Sequence, residues 1–236
     1  MLLCKAGKRE AVNNHIIQIH IYQGQMNMGG GMVVGMLLMI GLIKRKGNKI
    51  MEYNIQAIPT KYAGRQYRSQ LEARWAAMFD LLGWKFEYEP FTIGEWLVDF
   101  IIYGDKEILV EVKPTIDLYE FPLAKIWRST KEDLREILLL GCTLMESEFN
   151  DPVVGWLNDK ENFENELGGN DNFYHAIFNN YDGYGFYHYY NSWRDRITGI
   201  YEGNETCLHP TKEQITRLWN EAGNKVMYRK IKIRED

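Results

Sequence analysis

The chain has 236 residues, 45% of them hydrophobic and 14% aromatic, which is enough apolar material for one sizeable core and excludes a disordered chain. The formal net charge of −4 excludes a protein that grips nucleic acid over its whole surface, which would be basic. The charge is also uneven. Residues 1–50 carry seven Lys or Arg against the single acid Glu10, so the remainder is strongly acidic and any nucleic-acid contact must be local and metal-assisted. Cys4, Cys142 and Cys207 are far apart with no CxxC pair, which argues against a zinc ribbon or a disulfide framework and for reduced thiols in the cytoplasm.

Residues 28–43 form an apolar, Gly-rich run followed by Lys44-Arg45-Lys46. At about 16 residues it falls short of the ~20 that span a bilayer, and it lies too far in for an ordinary signal peptide. The favoured expectation is that residues 1–50 are an over-extended start, with Met51 opening the working protein and a purine-rich coding stretch preceding it. A short anchor with a positive cytoplasmic flank and a loosely packed extension stay open. No stable membrane association is expected.

From Met51 onward the pattern becomes regular. Arg65–Leu82 predicts an amphipathic helix, with Tyr67, Leu71, Trp75, Met78, Phe79 and Leu82 at spacings of three and four and Gly83 as its stop. Three strands follow, over Trp84–Glu89, Trp96–Ile102 and Ile108–Lys113, separated by Pro90, Gly94 and Gly104-Asp105. A second helix is expected within Phe121–Arg135 and a fourth, apolar strand over Ile137–Leu144. The order α-β-β-β-α-β implies an α/β (α+β) fold with a mixed central sheet flanked by helices. Residues 146–171 read as an acidic loop. Residues 173–193 are rich in Phe, Tyr and Trp, with a turn at Asp182-Gly183, and predict one or two packed hairpins; a base-stacking platform is the other reading. Thr211 and Gln214 form a capping box for a last helix ending at Gly223, and Lys225–Arg234 could add a strand. The chain thus divides into an extension (1–50), a core (51–145) and a segment packing on that core (146–236).

Strand alternation gathers the candidate chemistry. Glu111 and Lys113 share one face of their strand. Asp99 points away from Trp96, Val98, Phe100 and Ile102, beside Leu97 and Ile101. An aspartate within an apolar, aromatic strand is disfavoured for strand formation and for burial, so a cation is expected to hold it there. Asp99 and Glu111 on neighbouring antiparallel strands could face one Mg²⁺, with the Val112 carbonyl as a further ligand. Lys113 would orient a metal-activated water and stabilise charge on phosphate. Glu72, on the helix beside them, would be a third acid. Arg65, Arg68, Lys125, Arg128 and Lys131, expected on the two flanking helices, are candidate phosphate contacts. His175 and His188 are read as ordinary surface or core histidines.

Asp99 followed by Glu111-Val112-Lys113 resembles the PD-(D/E)XK nuclease superfamily over roughly residues 60–145. Residues 67–76, then Glu87-Tyr88-Glu89-Pro90, then Glu111-Val112-Lys113-Pro114, are similar to phage- and prophage-borne members. The resemblance implies a restriction-endonuclease-like core and Mg²⁺-dependent hydrolysis of DNA phosphodiesters, with Mn²⁺ as a substitute. It assigns Asp99 and Glu111 to the metal, Lys113 to catalysis and Glu72 to the helix acid. Val98 stands where the motif has proline, and the chain beyond residue 145 lacks cysteine pairs. The alternative expectation is a non-catalytic protein on the same fold that binds a host factor or DNA.

Overall fold

The computed structural model describes residues 57–158, 173–189, 194–200 and 208–227. The apolar run at 28–43 lies outside them, as does the expected tail strand Lys225–Arg234 beyond residue 227; its first residue, Lys225, is helical. No helix among the described residues is long and apolar enough to cross a membrane.

The chain opens with a hairpin of β1 (Thr60–Tyr62) and β2 (Arg65–Tyr67). Ala63 and Gly64 both have positive φ, 46° and 80°, the geometry of a two-residue hairpin turn. Arg65–Tyr67 is therefore strand, not the start of the helix. The helix, α1 (Gln70–Leu82), begins after Ser69, whose side chain accepts the Glu72 N–H at its N-terminus. Gly83 ends it in the left-handed region at φ 75°, as the sequence predicts.

Next come β3 (Lys85–Tyr88), a small hairpin of β4 (Thr92–Ile93) and β5 (Trp96–Leu97), then β6 (Phe100–Tyr103) and β7 (Glu107–Val112). A 3₁₀ turn at Leu118–Glu120 and α2 (Leu123–Ser129) lead to β8 (Glu136–Leu140). Both α2 and β8 are shorter than expected. The remaining elements are β9 (Met145–Glu146), β10 (Pro152–Asn158), β11 (Phe173–Asn179), β12 (Gly185–His188) and α3 (Lys212–Lys225).

The main sheet has the order β12-β11-β10-β8-β7-β6-β3, with β9 on β10. Only β7 and β8 pair in parallel, with α2 in their crossover; all other neighbours are antiparallel. The fold is thus α+β with a mixed sheet, as the element order predicts. The stretch read as an acidic loop is the correction. It contains β10, a fully buried strand that joins β8 to the aromatic hairpin of β11 and β12.

Two apolar layers enclose the sheet. On one side Phe100, Ile102, Ile108, Val110 and Val112 meet α1 and α3. Arg74 of α1 lies over the Trp219 ring and donates to the Trp219 carbonyl. Gly223 sits against this guanidinium and is inside α3, which runs on to Lys225 instead of stopping there. The expected capping box of Thr211 and Gln214 is present. On the other side Ile101, Leu109, Ile137, Leu139 and Trp156 meet Phe121 and Ile126. Strand alternation supplies both faces.

The contact between β10 and β8 yields a test. A Cβ on Gly155 would fall 2.2 Å from the Leu139 carbonyl oxygen. Gly155→Ala should therefore destabilise the protein by on the order of 1–3 kcal/mol in urea unfolding. An unchanged midpoint would show that β10 does not pack against β8.

Candidate active site

The apolar strand expected over Trp96–Ile102 breaks at Val98 and Asp99, between β5 and β6. Val98 turns to the same side as Trp96 and Ile101, whereas Phe100 and Ile102 face α1. The break follows from Asp99, whose amide donates to the Val110 carbonyl and whose carbonyl accepts from Glu89 N–H. Its carboxylate then completes the ladder in place of backbone, as Oδ2 accepts the Val112 N–H at 2.8 Å. Asp99 is 3% exposed and lies against the Glu111–Val112 end of β7.

Glu111, also 3% exposed, projects from β7 into the α2 side of the sheet. Its Oε2 accepts the Trp96 indole N–H at 2.6 Å, and its Oε1 lies 2.5 Å from Lys113 Nζ. Lys113 also reaches the Val112 carbonyl at 3.4 Å. The adjacency expected of Asp99, Glu111, Val112 and Lys113 is present.

Each carboxylate is held in two different ways. One oxygen has a fixed partner: Val112 N–H for Asp99, the buried Trp96 indole for Glu111. The other has a long basic side chain: Arg68 Nη2 at 2.5 Å from Asp99 Oδ1, and Lys113 on Glu111. The Arg68 and Lys113 side chains are 51% and 38% exposed, so solvent competes for both.

Glu72 takes another position. It is the third residue of α1 and is 8% exposed. Its Oε1 accepts from the Ser69 hydroxyl, and its Oε2 accepts the Tyr88 hydroxyl at 2.6 Å and the Arg68 N–H at 3.2 Å. A carboxylate so occupied caps the helix, where the dipole favours negative charge. Among the described residues, no group of three or more His, Cys, Asp or Glu is placed to hold one ion. Glu72 and Asp99 meet the same guanidinium, that of Arg68, at 3.9 and 2.5 Å.

Among the basic residues, Arg68 departs most from expectation. It precedes α1 and is bound into the site, where it also pairs with Glu89 at 2.5 Å. Arg65 lies on β2 with its guanidinium 3.5 Å from the Tyr88 carbonyl. Lys125 and Arg128 are exposed on α2, and Lys131 is exposed just after it. Glu89, Tyr88 and Trp96 were not legible as site residues. Glu89 has φ 47°, a strained backbone for a residue with a side chain, and its N–H binds Asp99. Sequence offers one hint, the Pro90 that follows it. His175 and His188 lie on β11 and β12, three and four strands from β7 in the sheet order.

Four carboxyl groups (Glu72, Glu89, Asp99, Glu111) meet two basic groups (Arg68, Lys113), so acids outnumber bases in the cluster. Burial, then the neighbouring Glu111 carboxylate, push the Asp99 carboxyl up to about 7, while Lys113 and the Val112 N–H oppose the rise. Burial, the Tyr88 hydroxyl and the surrounding carboxylates act together on Arg68, and the net effect holds its guanidinium above its usual range.

No family model, no curated protein and no solved structure matches this chain. The reading of the site therefore stands on its geometry.

Asp99 gains affinity for its proton on folding, so its contribution to stability is largest below its ordinary value of 3.8 and is lost as pH rises toward about 7. Asp99→Asn removes this loss while keeping an acceptor for Val112. In metal-free buffer, its stability relative to the wild type should improve between pH 5 and pH 8 by at least about 1 kcal/mol. A pH-independent difference in urea unfolding would count against a destabilised carboxylate.

Proposed function

We propose that the protein is a Mg²⁺-dependent nuclease that hydrolyses DNA phosphodiesters on a PD-(D/E)XK-type core. One observation carries this reading: each of two adjacent buried carboxylates has one oxygen fixed by a rigid donor and one held by a partly exposed basic side chain. When Arg68 and Lys113 swing out, Asp99 Oδ1 and Glu111 Oε1 become free on neighbouring strands. The two carboxylates so freed suit one divalent ion. Mg²⁺ is a hard cation that needs only one or two protein carboxylates, with water and phosphate oxygens completing its shell. Asp99 and Glu111 would hold it, with the Val112 carbonyl beside them.

The bound ion would supply charge neutralisation of the phosphate and an acidified water. The chain's own residues do the rest. Trp96 and the Val112 N–H fix the carboxylates so that they do not reorganise during the reaction. Lys113, released from Glu111, donates to a phosphate oxygen and orients the attacking water. Arg68, released from Asp99, is placed to bind the adjoining phosphate. Glu72 and Tyr88 hold the Arg68 backbone where that reach begins. Arg65, Lys125 and Arg128 offer local phosphate contacts on an otherwise acidic surface.

A second reading rests on the same ion pairs. Arg68 and Lys113 already neutralise much of the site, so the fold could serve as a non-catalytic module that binds a host factor or DNA. Calorimetry separates the two, because only the nuclease reading requires Mg²⁺ or Mn²⁺ to bind.

Lys113→Ala should lower Mg²⁺- or Mn²⁺-dependent cleavage of DNA by about 10²-fold or more with the fold retained. Normal cutting by this variant would remove Lys113 from the mechanism. Separately, Mn²⁺ should raise the melting temperature of the wild type but not of Glu111→Gln. No shift in the wild type, together with no cleavage of single- or double-stranded DNA, would leave the binding-module reading.

A further inference from the structure

A second concave site lies on the same face of the sheet. It is a cavity of about 280 Å³ between the 3₁₀ turn, the loop after β9 and the start of β11. Trp156, Phe173, His175 and Tyr189 line it, with Leu118 and the Glu148 carboxylate at its margin. Phe173, His175 and Tyr189 are only half buried, so these rings wall an opening and are not sealed in the core.

The strand register ties this cavity to the carboxylates. Glu111 pairs with Leu139, Leu139 with Trp156, and Trp156 with His175. Directly paired residues point to the same face. Glu111 and His175 therefore stand in one row, three strand spacings apart, or on the order of 14 Å. The chain itself gives a second bound. Lys113 in the site and Leu118 in the cavity wall are separated by five residue steps, which span at most ~18 Å. At the stacked spacing of about 3.4 Å per nucleotide these distances are roughly four to five nucleotides, and fewer for an extended strand.

The lining chemistry selects what could enter. Among the described residues its lining includes no Lys or Arg, and Glu148 repels phosphate. Aromatic walls offer stacking surfaces to any base. The Glu148 carboxylate accepts from amino or imino N–H groups on a base edge. Burial lowers His175, which keeps its imidazole neutral and able to stack or accept. In the stretch between the two sites Ile116 and Tyr119 are exposed, at 67% and 69%, beside the exposed acids Asp117 and Glu120, whose carboxylates accept from the Tyr119 N–H and the Thr115 hydroxyl.

We propose that this cavity takes one unpaired base of a single-stranded DNA whose phosphate lies at Asp99 and Glu111, a proposal that rests on the nuclease reading above. A duplex cannot fill it, because its bases are stacked and paired. The cavity thereby selects a single-stranded or frayed end and sets how far from that held base the backbone is cut.

The test uses fluorescence anisotropy of a labelled nine-nucleotide DNA with EDTA present, so that nothing is cut. Phe173→Ala combined with Tyr189→Ala should weaken binding about tenfold or more, with the folded circular-dichroism spectrum retained and the Mn²⁺-induced rise in melting temperature unchanged. On the wild type, a single abasic position should cost a similar factor at one place in the strand. That cost should vanish in the double variant. Unweakened binding by the variant, an abasic scan with no sensitive position, or tighter binding of duplex or of RNA overturns the proposal. Because no hydrolysis is needed, the two readings fail separately. A protein that holds the base but never cuts loses the nuclease assignment, and one that cuts while the variant binds normally loses only the cavity.

Discussion

Two carboxylates buried beside each other on neighbouring strands cannot both stay charged without compensation. Much of the local structure answers that constraint for Asp99 and Glu111. The strand that carries Asp99 is broken there, so that its carboxylate can take the Val112 N–H that the ladder would otherwise leave unpaired. The small β4–β5 hairpin exists beside the main sheet and brings the Trp96 indole to Glu111. Glu89 adopts a strained backbone that binds Asp99 through its N–H and Arg68 through its carboxylate. Such strain persists only where its surroundings over-determine it.

The N-terminus of α1 is the second half of the arrangement. Ser69 and Glu72 cap the helix, and Glu72 reaches back to the Arg68 N–H rather than to the capping residue's own amide. One carboxylate therefore fixes both where the helix starts and where the Arg68 side chain departs. The structural role of Glu72 accounts for its burial in full. Its influence on the site is exerted through Arg68 and through its field.

The fold was legible wherever one period dominated a segment. The alternation over Glu107–Val112, the helix stop at Gly83 and the Thr211–Gln214 box each rest on a local rule, and each is present. Failures came where averages or long-range contacts decide. The apolar run of β10 is short and flanked by acids, so the composition of 146–171 concealed a strand whose partners are β8 and β11. Gly223 ends no helix: it lies inside α3, where Arg74, far away in sequence, packs against it. Tyr67 fits the period of α1 by chance, while the Ala63-Gly64 turn makes its segment a strand. At the site, Asp99 stood out because its residue type contradicts its surroundings. Arg68, Tyr88, Glu89 and Trp96 did not, since each is unremarkable until pairing brings it to Asp99, Glu111 or Glu72.

The clasp between Arg74 and Trp219 bears on how the molecule is made. The elements that carry the carboxylates, from α1 to β8, are contiguous, and a ribosome releases them early. The helix that covers the outer side of α1 arrives about 145 residues after Arg74. Until then Trp75, which contacts Trp219 in the finished protein, has no cover on that side. The nascent chain therefore exposes an aromatic surface through most of its synthesis, a state prone to aggregation and to chaperone capture. These contacts close a long loop, the kind of non-local pairing that slows folding. Assembly of the carboxylate cluster and locking of its supporting helix are thus separate events in time.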